Sequence, residues 1–168
     1  RQALAEIWNR EIPDEPLPKV PQGKALEVED YSNKGVSLAA LGLHKQAIGE
    51  YKKAIALKPD HAPAFLNAGV SLASLNKPKD AAKAYIKAVK IDPSLGEAYY
   101  NYGLILKSWN RLEEAEKAFR KAMHLKSEMT AAWENLGILL SESGRQEEAF
   151  ALLEEAVNPD AYNPRHHY

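Results

Sequence analysis

The chain repeats itself every 34 residues from about residue 28 to residue 157. Gly35, Gly69, Gly103 and Gly137 stand 34 apart, as do Ala47, Ala81, Ala115 and Ala149, and again Ala54, Ala88, Ala122 and Ala156. Three columns on one spacing over four units require a modular architecture, because a unit this short cannot bury a core alone and must stack on its neighbours. Stacks of this kind present extended surfaces rather than enclosed active sites. Binding, not catalysis, is the expected activity.

The units run 28–61, 62–95, 96–129 and 130–157. Each carries two apolar patterns at helical spacing; in the first, Tyr31, Gly35 and Leu38 mark one helix face and Ala47, Tyr51 and Ala54 another. Short polar or glycine-bearing turns separate them at Leu41–His44, Asn76–Pro78, Asn110–Arg111 and Ser143–Arg145. Pro78 suits the start of a helix, whereas Pro59 and Pro93 close units because proline cannot continue one. Glycine inside a helix costs about 1 kcal/mol against alanine. Four at one position therefore point to close approach of the first helix to the Ala47-type column of the second. Tyr31, Phe65, Tyr99 and Trp133, with Tyr51, Tyr85, Phe119 and Leu153, fill the remaining space as core rather than as cofactor contacts.

This pattern resembles the tetratricopeptide repeat, a helix–turn–helix unit of the same length. Trp133, Leu136, Gly137 and Leu140 carry its first part, and Ala81 with Tyr85 and Ala115 with Phe119 its second. Ser127 stands where a proline is usual, and Lys34 and Ala68 replace the usual leucine. The resemblance implies an all-α fold, a right-handed α-solenoid of antiparallel helix hairpins. It says little of function, since the family serves many roles.

A polar column shares the period: Asn33, Asn67, Asn101 and Asn135, each two residues before the glycine. In the family the first helices line the concave face, so these side chains are expected to form a ladder there, and some members use such asparagines to hold peptide backbones. An amide offers an acceptor and two donors to a peptide N–H and C=O. With helix layers about 10 Å apart and an extended chain rising about 3.3 Å per residue, one rung meets roughly every third residue. Val36, Val70, Leu104 and Ile138 flank the ladder one turn away, Leu66 and Tyr100 widen that strip, and Lys107 and Glu142 add isolated charges. A chaperone-type carboxylate clamp is rejected: its positions here are Ser32, Val36, Asn67, Glu97 and Asn101, and only Asn67 matches.

The formal net charge of −1 gives no reason to expect nucleic acid, and no apolar run is long enough to span a membrane. Absence of cysteine removes disulfides and thiolate chemistry and suits a cytoplasmic protein, although a periplasmic one is equally compatible. No catalytic triad pattern, phosphate loop or metal-spaced cluster is present, so neither a cofactor nor a metal is expected. His44, His61 and His124 are isolated, and the adjacent His166 and His167 in the tail 158–168 make a weak metal site. Residues 28–95 carry 10 basic and 6 acidic side chains, and 96–157 carry 7 and 11. That asymmetry suits head-to-tail self-association, a dipolar partner or simply solvated outer faces.

Residues 1–27 fall outside the repeat. Leu4, Ile7 and Trp8 make an apolar stripe on a short helix, and Pro13, Pro16, Pro18 and Pro21 an extended arm, read either as a terminal cap and linker or as a built-in ligand. At the other end Phe150, Leu153 and Val157 lack a polar capping helix and are expected to be partly open to a homo-oligomer mate or to further sequence. The chain opens at Arg1, as after removal of a leader or as a piece of a longer polypeptide. The overall expectation is a scaffold that binds a protein or peptide partner in the groove; the alternative is the substrate-recognition arm of a larger enzyme such as a glycosyltransferase.

Overall fold

A computed structural model describes residues 27–157, and among them every regular element is an α-helix. The chain divides after Pro93 into two compact units of two hairpins each. The first holds α1 (Val28–Ala40), α2 (His44–Leu57), α3 (Ala62–Ser74) and α4 (Pro78–Ile91). The second holds α5 (Gly96–Ser108), α6 (Leu112–Leu125), α7 (Thr130–Glu142) and α8 (Gln146–Val157). The sequence reading treats the four repeats as one array; the structure groups them two and two. The N-terminal stripe and proline arm, and the tail histidines, lie outside the described residues.

Helix starts and stops follow local chemistry. Pro63 and Pro78 occupy first-turn positions of α3 and α4, where their missing N–H would be unpaired anyway. α6 places Glu113 and Glu114 in its first turn and His124 in its last, matching the helix dipole at both ends. Within each hairpin the first helix ends the same way. Gly42, Asn76, Asn110 and Gly144, again 34 apart, take positive φ of 76°, 57°, 58° and 77°. The next residue's N–H then reaches back to the helix, as in Leu43 N–H to the Leu38 carbonyl and Arg111 N–H to the Leu106 carbonyl, both 2.9 Å. This is a Schellman closure, which satisfies helix carbonyls that would otherwise be orphaned.

Packing explains the glycine column. An added Cβ at Gly69 would stand 2.5 Å from Tyr85 Cε1, and one at Gly103 2.7 Å from Phe119 Cε1; Gly35 meets the Tyr51 ring in the same way. The bare backbone thus receives the face of an aromatic ring from its partner helix. In the first unit Tyr31, Ala47, Tyr51 and Ala54 form one core with Ala64 and Ala68 of α3. In the second, Phe119, Ala122 and Met123 of α6 join Trp133, Leu136, Leu139 and Leu140 of α7, and Ala149 and Leu152 of α8. Each fully buried large side chain contributes roughly 1.5–3 kcal/mol. Trp133 also donates from Nε1 to the Ser127 carbonyl at 2.9 Å, so its one polar atom is satisfied.

A polar link reinforces the second unit. Arg145, just before α8, donates from Nη1 to Glu116 Oε2 on α6 at 2.6 Å, while Arg120 holds Glu116 Oε1 from Nε at 2.9 Å. Burial pushes the Glu116 carboxyl up, but the hydrogen bonds from Arg145 and Arg120 outweigh it and hold the group below the usual carboxylate range. Arg145 also forks onto Glu148, repeating the Arg111–Glu114 pair one unit earlier.

Candidate functional site

The asparagine column lies on the first helix of each hairpin, and each unit therefore carries one pair. In the first unit Asn33 on α1 is exposed and Asn67 on α3 is half-buried, with α1 and α3 in contact. Beside them Val36 and Val70 are 46% and 41% exposed, which is high for valine and leaves both methyl pairs open to a ligand. Leu66 differs from the expected strip. It is 7% exposed and belongs to the interior of its hairpin, so it offers no surface. The valines' own helix is tidy around them: Ser37 Oγ donates to the Asn33 carbonyl at 3.0 Å and Ser74 Oγ to the Val70 carbonyl at 3.1 Å. These bonds absorb the hydroxyls and leave the amides as the available polar groups. No hydrogen bond to the side chains of Asn33, Asn67 or Asn101 forms among the described residues.

The second unit is more committed internally. Asn135 Nδ2 donates to the Ala131 carbonyl at 2.9 Å and to Tyr100 Oη at 3.3 Å, so both of its donors are engaged. Tyr100 is half-buried and its ring lies 5.9 Å from that of Phe119, which fixes it as a floor. Asn101 and Leu104 are half-buried, and Ile138 is 49% exposed. Lys107 and Glu142, read from the sequence as isolated charges, instead pair at 3.5 Å. The pair is mostly solvated on its acidic side, so it neutralises the face more than it stabilises it.

The C-terminal residues stand apart. Phe150, Leu153 and Val157 are 64%, 50% and 83% exposed. Phe150 and Leu153 line an open groove of about 590 Å³ between α7 and α8, together with the buried Gly137 and Ala149 and the exposed Ile138, Glu134 and Glu142. Leu4, Ile7 and Trp8 lie outside the described residues. No helix among the described residues is long and apolar enough to cross a membrane.

His44 and His61 each bond a serine of a neighbouring helix. His61 Nε2 sits 3.1 Å from Ser32 Oγ, and burial lowers its pKa, with Glu29 opposing. His44 Nδ1 reaches Ser71 Oγ at 3.4 Å. His44 thus ties the start of α2, and His61 the approach to α3, to a serine on a neighbouring first helix.

Family models of the tetratricopeptide repeat match residues 32–96, 96–128 and 132–158. The chain belongs to the tetratricopeptide repeat proteins, an all-α protein-interaction fold. Among curated protein sequences no relative matches. Among solved structures, a crystal structure of MamA aligns with TM-score 0.72 and 24% identity, covering 79% of this chain and 78% of that one. MamA from Desulfovibrio magneticus RS-1, residues 41 to the end, aligns at 0.68 and 25%, over 78% and 74%. The first tetratricopeptide domain of Spaghetti (RPAP3), bound to the HSP90 peptide SRMEEVD, aligns at 0.67 and 22%, over 70% and 94%.

Proposed function

We propose that the chain is a scaffold that holds an extended peptide segment of a protein partner against its first helices, by hydrogen bonds from asparagine amides to the peptide backbone and by aliphatic contact alongside. The observation that carries this reading is the uncommitted pair Asn33 and Asn67 beside the exposed Val36 and Val70. Backbone amides are the commonest partners for such side chains, and β-branched aliphatics suit the alternate side chains of an extended ligand. The peptide found on the RPAP3 domain supports the coarse role of the fold, peptide binding, and nothing finer at 22% identity.

The magnitude sets what else is needed. Two net hydrogen bonds contribute about 1–3 kcal/mol, and covering two half-exposed valines adds about 1 kcal/mol each. Micromolar affinity takes about 8 kcal/mol. One unit's amide pair and valines alone therefore give only millimolar contact, and ligand side chains supply the remainder. The first helices offer little free charge for them, since Lys34 pairs with Glu50 in the first unit and Lys107 with Glu142 in the second. The favoured ligand is a neutral, aliphatic segment. A peptide array probed with the wild type and with an Asn67→Ala, Asn101→Ala double variant tests this: the reading expects spots enriched in Val, Ile and Leu that fade in the variant. Equal binding by the variant would remove Asn67 and Asn101 from the site and, with Asn67, the pair on which the reading rests.

A further inference from the structure

We propose that the groove between α7 and α8 is a second docking site, and that its occupant is an amphipathic helix of a partner protein with an apolar seam and lysine or arginine flanks. The shape follows from the repeat. Leu153 stands 34 residues after Phe119 and 102 after Tyr51. Phe119 is 0% and Tyr51 1% exposed, each sharing a core with the first helix of the following hairpin, α7 and α3 respectively. Leu153 at 50% is the same position with no such helix over it among the described residues. The glycine face here is also less filled than at the other three glycines of the column. Leucine replaces the ring that elsewhere fills the glycine face, so a Cβ on Gly137 would meet nothing nearer than Leu153 Cδ2 at 3.9 Å. A surface built to be covered by a helix, with room for one large side chain, suits helix-in-groove recognition.

Charge selects the occupant. Glu134 stands on the edge of the groove beside Glu142, which Lys107 already pairs, and α8 carries four glutamates with no basic residue, of which Glu148 is held by Arg145 and leaves the helix still net acidic. A second copy joined α8 to α8 would bring these carboxylates together. Head-to-tail docking of a second copy through α1 does no better. The α1 positions that correspond to the buried Ala132, Leu136 and Leu139 of α7 are Asp30, Lys34 and Ser37, all exposed and polar. A helix with basic flanks and an apolar seam satisfies both the acidic edge and the apolar lining.

The test uses the full chain and a fluorescent leucine–lysine peptide patterned as an amphipathic helix, with its leucine–glutamate counterpart as control, followed by anisotropy. Saturable binding of the basic peptide, weakened roughly tenfold or more by Phe150→Ser and also weakened by Glu134→Lys, is the expected result. Val36→Ser with Val70→Ser should leave it unchanged, which separates this site from the asparagine face. Unchanged helicity by circular dichroism shows that Phe150→Ser folds. No binding, equal binding of the acidic peptide, insensitivity to Phe150→Ser, or a dimer in sedimentation that Phe150→Ser dissociates would each overturn the proposal.

Discussion

Alanine at Gly69 and at Gly137 is expected to act with opposite sign, although the two glycines occupy the same column. At Gly69 the new Cβ would lie 2.5 Å from Tyr85 Cε1 and 2.8 Å from Cδ1, and Tyr85 is 2% exposed, so the ring has no free space to enter. At Gly137 the nearest atoms are 3.9 and 4.0 Å away, ordinary van der Waals contact. Replacing glycine by alanine in a helix stabilises it by about 1 kcal/mol, whereas overpacking a filled core costs about 1–3 kcal/mol. Gly137→Ala should therefore stabilise the second unit by about 1 kcal/mol. Gly69→Ala should leave the first unit unchanged or destabilise it by up to about 2 kcal/mol. Tyr85→Leu recreates at Gly69 the natural Gly137–Leu153 pairing, and in that background alanine at 69 should turn stabilising, a coupling of about 1–3 kcal/mol. Urea unfolding by circular dichroism gives the free energies, and hydrogen exchange assigns them to α1–α4 or α5–α8, because a two-unit chain need not unfold in one step. Equal effects at the two glycines, or no coupling with Tyr85→Leu, would refute the packing argument.

Three further perturbations follow from the geometry. Asn76 sits at φ 57°, so Asn76→Ala should cost about 1–2 kcal/mol while Asn76→Gly keeps the turn, a difference visible in thermal unfolding. Glu116 is held below the usual carboxylate range, so its contribution is present above its unfolded pKa and is lost as pH falls through the lowered folded value; Glu116→Gln should flatten the acid limb of the stability curve. Burial pushes the Tyr85 phenol up to about 12 from an unfolded value near 10, so stability is full below the lower figure and declines as pH rises to the higher; Tyr85→Phe should remove that part of the alkaline loss.

The hairpins were legible because periodicity is a local signal: small residues at fixed spacing and prolines at helix ends report directly on helix length and approach. The αL column was harder to see. Gly42, Asn76, Asn110 and Gly144 share one backbone need met by two residue types, so no single letter repeats. The proposed binding face depends on which side-chain hydrogen bonds are already made within the fold, which spacing does not encode. Asn135 looks identical to Asn33 as a letter, yet a tyrosine at position 100 and the Ala131 carbonyl take up its donors. Leu66 follows the same logic: adjacent to a surface asparagine in sequence, it turns inward because a helix rotates about 100° per residue. The Lys107–Glu142 pair joins α5 to α7 across 35 residues, beyond any short-range pattern.

The central claim, that asparagine amides grip a peptide backbone, is tested most directly by following the side-chain amide NMR signals during titration with an array-selected peptide. The account predicts large shifts for the Nδ2 protons of Asn33 and Asn67, and little movement for Asn135, whose donors are already engaged. Saturation of the peptide with the Asn33 and Asn67 signals unmoved would contradict it.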